Sequence, residues 1–168
     1  MPVTSEQFRK VMGHFATGVT VVTTRLHPSG EPWGFTVNAF TSVSLEPPLV
    51  LVCVGHNSQS SKAMEEAKYF AVNFLTAEQE SVSRLFASRA ADRFASLAHS
   101  KGPQGSPLID GCLGYVECKK VATHNHVDHA IVIGEVQEAH FTHGEPLLYF
   151  GSGYRRLSPL PGDHSHHH

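Results

Sequence analysis

The stretch TVNAFTSVSLEPPLVLVCVGHNSQSS, residues 36–61, decides the fold of this chain. It begins inside a segment typical of a β-strand (residues 33–38) and continues through a second one (residues 41–45). Pro47 and Pro48 then predict a stop, because proline cannot donate to a sheet ladder. These features predict two strands that end at the proline pair.

A third strand and a helix follow the prolines. Residues 49–54 are a short, continuous apolar run, which suits a strand buried on both faces. Residues 56–61 are polar and rich in serine, and they lead into a predicted helix over residues 60–67.

Strand patterns continue on both sides of this stretch. Residues 19–24 are β-branched without a break, which is typical of a strand. Residues 88–111 lack a regular pattern and contain several Gly and Pro, which predicts a long irregular loop. The remaining predicted strands are residues 69–75, 113–122, 130–140 and 146–150.

Two further helices are predicted from capping signals. Thr4 with Gln7, and Thr76 with Gln79, have the spacing of a capping box. The apolar stripe of the first helix is Phe8, Val11, Met12 and Phe15, and that of the second is Val82, Leu85 and Phe86. Strands and helices do not alternate regularly, so a mainly β fold with helices (α+β) is expected: a closed or nearly closed antiparallel barrel.

Size and charge restrict the possible functions. The chain of 168 residues predicts one domain, over residues 1–160, and residues 161–168 resemble a cloning scar followed by part of a purification tag. A formal net charge of -2 gives no general attraction for nucleic acid or an anionic membrane, so neither partner is expected.

Cysteine usage and hydropathy indicate a cytoplasmic protein. The three cysteines, Cys53, Cys112 and Cys118, are odd in number and lack C-x-x-C spacing, which argues against a disulfide framework and a thiolate zinc site. Neither a signal peptide nor an apolar run of ~20 residues is recognisable.

Three segments carry candidate chemistry. The first is the serine-rich helix start, where Ser58, Ser60 and Ser61 could bind a phosphate with the free N–H groups of the first turn. Simple N-capping by one serine is the alternative. The second is residues 34–44, whose small and hydroxylated side chains would allow a flat ring to approach the backbone, or would simply face water on an edge strand.

The third segment is HNHVDH, residues 124–129, which spells the H-x-H-x-D-H pattern of metallo-β-lactamase-like hydrolases. Two imidazoles, a carboxylate and a third imidazole (His124, His126, Asp128 and His129) can hold a dizinc centre. A strand pattern follows instead of the expected glycine and helix, and few further ligands lie downstream, so this hypothesis is the weaker one.

The ordered set of segments resembles the flavin reductase-like family, which has the FMN-binding split-barrel fold. The resemblance covers residues 8–157, and no single motif carries it alone. The matching segments are FATGVTVVT (15–23), GFTVNAF (34–40), SVSL (42–45), PPLV (47–50), YFAVNFL (69–75), DHAIVIGEV (128–136), and PLLYF (146–150) with Tyr154.

The resemblance implies a reductase component of a two-component monooxygenase, with FMN or FAD as the flavin and NADH or NADPH as hydride donor. The flavin ring would lie along Thr36, Val37, Asn38 and Ala39, with Ser42, Cys53 and Val54 nearby. The flavin phosphate would be held by Ser58, Ser60 and Ser61, with Arg89 as a further partner and Arg93 as the alternative arginine.

The resemblance also implies that His129 orients the nicotinamide. A structural histidine at a strand start is the alternative. Phe150 and Tyr154 would cover the nicotinamide or the partner's site, or would belong to the core. Val127 stands where the family has glycine, and valine suits that position poorly if it needs a positive φ.

Further expectations from the resemblance are a homodimer and a flavin-dependent monooxygenase partner reached by diffusion of reduced flavin. The alternatives are a split-barrel oxidase or a reductase of another acceptor, a flavin-binding carrier or sensor without turnover, and the dizinc hydrolase.

Overall fold

The computed structural model describes residues 2–90 and 92–162, so most of the predicted tag lies outside the described residues. Three helices are present: α1 (Ser5–Met12), α2 (Gln59–Glu66) and α3 (Glu80–Ala87), the last preceded by a short 3-10 turn (Ala77–Gln79). Among the described residues, no helix has the length and hydropathy needed to cross a membrane.

Strands make up most of the rest. They are β1 (Thr17–Gly18), β2 (Thr20–Arg25), β3 (Pro32–Val37), β4 (Phe40–Leu45), β5 (Pro48–Gly55), β6 (Tyr69–Phe74), β7 (His99–Lys101), β8 (Pro107–Ile109), β9 (Gly114–His126), β10 (His129–Phe141), β11 (Leu148–Phe150) and β12 (Gly153–Arg155).

All strand pairs are antiparallel. The main sheet has the order β3-β2-β6-β9-β10-β5-β4, and two small sheets, β1-β11-β12 and β7-β8, flank it. The main sheet curls until β3 and β5 lie on either side of one groove. The predicted antiparallel split barrel with appended helices is therefore confirmed.

The interior of the barrel is filled by alternate residues of its strands. Along β5, Val50, Val52 and Val54 are buried, and Met64 of α2 packs among them. A second cluster, which includes Val21, Leu75 and Phe86, lies between the sheet, α3 and the small three-stranded sheet.

Some local predictions differ from the structure. Pro48 does not lie outside the strands, because it is the first residue of β5 and pairs with Leu45, the last residue of β4. The turn between β4 and β5 is formed by the residues between these two. Residues 88–111 are not wholly irregular, because β7 and β8 form a small hairpin there. That hairpin is anchored by the buried carboxylate of Glu117, which accepts the N–H groups of Gln104 (3.0 Å) and Ser106 (2.9 Å).

The first helix also departs from expectation. Its capping box, Thr4 with Gln7, is present, but the helix ends at Met12 with Gly13 as its C-cap. None of its residues is buried, so the apolar stripe does not pack on the protein's own core.

Candidate functional site

A groove of about 370 Å³ opens between β3 and β5. Thr36 and Val37 line it from β3, and Cys53 and Val54 line it from β5. Phe86 and Ala87, at the end of α3, close one side. The structure thus brings together four of the residues predicted to surround the flavin ring, although β3 and β5 occupy different places in the sheet order.

The start of α2 lies at one end of this groove. Ser58 is the helix cap: its Oγ accepts the N–H of Ser61 (3.0 Å) and donates to the carbonyl of Gly55 (2.9 Å). Ser60 differs, because its Oγ accepts the indole N–H of Trp33 (3.0 Å). The hydroxyl proton of Ser60 is therefore available to a ligand, whereas that of Ser58 is committed to Gly55.

Ser61 lies apart from the other two serines. It lines a separate cavity of about 440 Å³ together with Val54, His56 and Met64. Ser58 and Ser60 both line the groove, so the structure brings together two of the three serines expected at the phosphate.

The two candidate arginines occupy different environments. Arg93 stacks over the ring of Trp33 at 4.6 Å and donates to the carbonyls of Gly34 (2.7 Å) and Ser88 (2.6 Å). Burial lowers its pKa. Arg89 is exposed and lines a larger cavity of about 920 Å³ that adjoins the groove. Arg93 lines both the groove and the larger cavity, but its guanidinium binds backbone carbonyls, whereas Arg89 lines the larger cavity alone.

His129 begins β10 and pairs with Gly55, which lines the groove, although His129 itself does not. Its Nδ1 lies 2.8 Å from Oδ1 of Asp128, and the Nε2 edge faces Gly55, where an added β-carbon would lie 3.9 Å from Nε2. The hydrogen bond from His129 and the charge of His129 lower the pKa of Asp128 below its ordinary value.

The turn before His129 contains the departure noted in the sequence. Val127 and Asp128 form the two-residue loop of the β9–β10 hairpin, in which His126 pairs with His129. Val127 has φ 56 and is fully exposed. The position does adopt the left-handed conformation that favours glycine.

Besides Ser61, Arg89 and His129, five further expected site residues do not line the groove. Asn38, Ala39 and Ser42 are exposed at the start of the β4 hairpin, and the carbonyl of Ala39 accepts the N–H of Cys53 (3.0 Å). Phe150 packs edge-on against His14 with ring centroids 5.9 Å apart, and Tyr154 belongs to the second core cluster.

Tyr154 is nevertheless connected to the groove through α3. Its hydroxyl lies 2.7 Å from Oγ of Ser83, and the carbonyl of Ser83 accepts the hydroxyl of Thr36 (2.7 Å). The hydroxyl proton of Thr36 is thereby used within the protein, so Thr36 would present its methyl group and backbone to a ligand.

Trp33 and Gly34 also shape the site; the sequence argument assigned Trp33 no role and placed Gly34 only within the segment that a flat ring could approach. A β-carbon on Gly34 would lie 2.7 Å from Cε1 of Phe86, so the glycine allows α3 to sit directly on β3. The sequence could have pointed to Trp33, because it is the only tryptophan in the chain and it adjoins the segment predicted to bind the ring.

The dizinc hypothesis receives no geometric support. Within residues 2–90 and 92–162, no group of three or more His, Cys, Asp or Glu side chains is arranged to hold a metal ion. His124 and His126 lie in β9 as exposed strand residues.

Comparison with known proteins defines the class. The family model described as "Flavin reductase like domain" matches residues 12–158, so the chain belongs to this family. The resemblance inferred from the sequence is confirmed.

Characterised relatives point the same way. The NADH-dependent FMN reductase of Agrobacterium fabrum is 42% identical over 154 residues, covering 92% of this chain and 87% of the relative. The reductase subunit of a flavin-dependent monooxygenase from Rhodococcus jostii is 38% identical over 154 residues, covering 91% and 78%.

Solved structures agree with the fold. The NADH:FAD oxidoreductase of Streptomyces globisporus, solved in complex with NAD and FAD fragments, superposes with a TM-score of 0.88 at 40% identity. The match covers 95% of this chain and 96% of that one.

Proposed function

We propose that the protein is an NAD(P)H:flavin oxidoreductase that binds FMN or FAD in the groove between β3 and β5 and reduces it with NADH or NADPH. The groove itself carries the proposal. It has flat strand walls formed by Thr36, Val37, Cys53 and Val54, and hydrogen-bond donors at one end. This donor set fits a ring system that ends in a phosphate.

A bound flavin would supply the redox chemistry, accepting a hydride at N5 from the nicotinamide. The protein's contribution is placement. Asn38, Ala39 and Ser42, beyond the end of β3, would follow the ring edge with their backbone groups. Ser60 donates its hydroxyl to the phosphate, helped by the free N–H groups of the first turn of α2 and by the guanidinium of Arg89.

His129 orients the nicotinamide at the open side of the groove. Asp128 holds Nδ1, which directs the Nε2 edge of the ring towards Gly55 and the groove. His129 acts here as a hydrogen-bonding group for the carboxamide, because hydride transfer itself requires no proton shuttle from the protein.

The protein acts as a homodimer. The apolar stripe of α1 is exposed: Phe8 by 57%, Val11 by 68% and Met12 by 52%, and Phe15 just beyond the helix by 71%. A contiguous patch of this kind at the surface is typical of an interface. Phe150, which adjoins this region through His14, and Tyr154 belong to the side that a second copy would cover.

Reduced flavin then passes by diffusion to a flavin-dependent monooxygenase. Support comes from the relatives that are reductase components of such systems, including the one from Rhodococcus jostii. A cytoplasmic location accords with the use of NADH or NADPH.

The proposal is tested by anaerobic reduction. Purified protein is mixed with excess FMN or FAD, NADH or NADPH is added, and bleaching of the visible flavin band is followed. Multiple turnovers are expected. A flavin that binds but never bleaches would instead identify a carrier or sensor, and stoichiometric zinc without flavin affinity would overturn the proposal.

Two variants test the assigned roles. Ser60→Ala is expected to weaken flavin binding by about two- to tenfold, the range for one net hydrogen bond. Ser100→Ala, at an exposed serine of β7, serves as the control.

His129→Ala is expected to raise KM for NAD(P)H more than it raises Kd for flavin. His126→Ala, directly opposite in the hairpin, is the matched control. If His129→Ala and His126→Ala changed KM for NAD(P)H equally, the role assigned to His129 would be refuted.

A further inference from the structure

A cavity of about 260 Å³ lies where the end of β2, the start of β6 and the turn between β7 and β8 come together. Thr24 and Arg25 line it from β2, Tyr69 from β6, and Gly105 and Ser106 from the turn. Among the described residues, it shares none with the flavin groove or with the cavities of about 920 and 440 Å³. The proposed function makes no use of this space, which we call the basic cavity.

The charged groups around the basic cavity are all of one sign. Arg25 and Lys68 are its cations and His27 adds an imidazole, whereas none of the described residues that line it is acidic. Neither Arg25 nor Lys68 takes part in an ion pair within the part of the chain that the structure describes. In a protein whose formal net charge is -2, this local excess of positive charge favours an anionic ligand.

The guanidinium of Arg25 is already positioned for such a ligand. Its Nε donates to the carbonyl of Gly105 (2.6 Å) and its Nη1 to the carbonyl of Gly30 (3.1 Å). These two bonds fix the plane of the guanidinium and leave Nη2 for a ligand. Both acceptors are neutral, so the charge of this half-buried side chain still has no counterion. An arginine held in this way binds a carboxylate well, because its N–H groups match the spacing of the two oxygens.

The hydroxyl of Ser106 is a further unused donor. The residue is only 2% exposed, and its Oγ has no hydrogen-bond partner among the described residues. A buried hydroxyl without a partner is unfavourable, and a ligand oxygen would supply the missing acceptor. The buried carboxylate of Glu117 does not serve this hydroxyl, because it accepts the backbone N–H groups of Gln104 and Ser106 instead.

The remaining surface of the basic cavity suits an apolar body. Tyr69 supplies an aromatic ring, and Nζ of Lys68 lies 5.5 Å from the centre of that ring. The hydroxyl of Thr24 is used within the protein, since it donates to the carbonyl of Tyr69 (2.7 Å). The cavity is smaller than the range of about 300–1,000 Å³ that is typical of sites for drug-sized molecules. A ligand with a single ring is therefore the appropriate size.

We infer that the basic cavity is a binding site for a small aromatic carboxylate, separate from the flavin groove. The carboxylate lies between Arg25 and Lys68 and accepts the hydroxyl of Ser106, and the ring packs against Tyr69. An inorganic anion would satisfy the charges but leave the aromatic wall without contact. A neutral aromatic molecule would leave the cations unpaired.

Titration with benzoate tests the inference without relying on turnover. Isothermal titration calorimetry is carried out on the whole protein with excess FMN, so that the flavin groove is filled, and is repeated without FMN. Saturable binding of one benzoate per chain is expected, with the same Kd in both titrations, because the two sites share no residue. Benzyl alcohol, which keeps the ring and lacks the charge, and sulfate, which has charge and no ring, are each expected to bind at least tenfold more weakly.

Three variants test the assigned contacts. Arg25→Gln is expected to weaken benzoate binding about tenfold or more, as for hydrogen bonds to a charged group. Lys68→Gln should weaken it about two- to fivefold, the range for an exposed ion pair. Ser106→Ala should weaken it about two- to tenfold without lowering the free energy of unfolding, because the hydroxyl has no partner to lose. Lys10→Gln, which removes an exposed lysine of α1, is the control and should leave Kd unchanged.

Arg25→Gln also removes two contacts to backbone carbonyls, so the decisive variants are Lys68→Gln and Ser106→Ala, which leave those contacts intact. The inference would be overturned by an absence of saturable benzoate binding, by competition between benzoate and FMN, or by benzyl alcohol or sulfate binding as tightly as benzoate. Unchanged benzoate affinity in both Lys68→Gln and Ser106→Ala would overturn it as well. None of these results bears on whether NAD(P)H bleaches the flavin, which tests the proposed function independently.

Discussion

Replacing Val127 with glycine is expected to stabilise the protein. Val127 is the first residue of the two-residue β9–β10 turn, where φ is 56. For an L-residue, the left-handed conformation costs roughly 1–2 kcal/mol because its β-carbon crowds the carbonyl, and β-branching adds to the crowding. Glycine has no β-carbon and removes this cost.

The net gain is the strain that glycine relieves minus the extra backbone entropy that it loses on folding. This entropy loss costs about 0.5–1 kcal/mol relative to alanine. Burial contributes nothing to the balance, since the side chain is fully exposed and gives up no packing. The net stabilisation is therefore about 0.5–1 kcal/mol, which raises Tm by about 1–4 °C in a domain of this size.

The measurement is thermal or urea unfolding at one fixed protein concentration, since the proposed dimerisation would make Tm depend on concentration. Val121→Gly is the matched control: Val121 is also an exposed valine, but it lies within β9 and does not have a positive φ. That variant is expected to be destabilised by about 0.5–1 kcal/mol. If Val127→Gly and Val121→Gly lowered stability equally, the strain assigned to Val127 would not exist.

Three other predictions concern the site and its support. Cys53 should be the first thiol alkylated at pH 8, because burial raises the pKa of Cys112 to about 11 and that of Cys118 to about 12. Added flavin should slow the alkylation of Cys53, because this residue lines the groove. Mass spectrometry of the labelled protein would contradict this prediction if Cys112 or Cys118 reacted first. Glu117→Gln should lower the free energy of unfolding by about 1–3 kcal/mol, because the new side-chain amide places a donor where two backbone N–H groups now donate to a carboxylate. An unfolding curve that matched the wild-type curve would refute this prediction. Asp128→Asn should raise KM for NAD(P)H by about two- to tenfold. The pKa of Asp128 in the folded protein lies below the ordinary value of 3.8, so the contribution of its ionised carboxylate is complete above that pH and is lost only as the pH falls through the lowered pKa. A change in KM between pH 5 and 8 that Asp128→Asn abolished would contradict this assignment.

Strand and helix positions were predictable to the extent that they depend on local pattern. The apolar run at residues 49–54 and the capping boxes at Thr4 and Thr76 correspond to β5, α1 and the turn before α3. The hairpin β7–β8 was missed because its strands have three residues each, too few to show a periodicity. It is anchored by side chains outside it, including those of Glu117 and Asn73, which a pattern within the hairpin cannot reveal.

Proximity across the groove was not predictable from periodicity. Thr36 lies in β3 and Cys53 in β5, and the sheet order separates these strands by β2, β6, β9 and β10. Only the curl of the whole sheet brings them together, and curl depends on twist summed over all the strands. The family resemblance supplied this long-range information, since an ordered set of motifs carries the geometry that a single motif lacks.

The serines illustrate where local interpretation reaches its limit. Ser58, Ser60 and Ser61 are almost consecutive, yet one caps the helix, one faces the groove and one faces another cavity. A helix turns by about 100° per residue, so neighbouring positions necessarily face different directions. The choice of Ser60 as the phosphate donor depends on Trp33, because the indole N–H occupies a lone pair on the Ser60 oxygen and leaves its proton for a ligand. Replacing Trp33 by phenylalanine should therefore weaken flavin binding in wild-type protein but change it little in Ser60→Ala, and additive effects in this double-mutant cycle would separate the two residues.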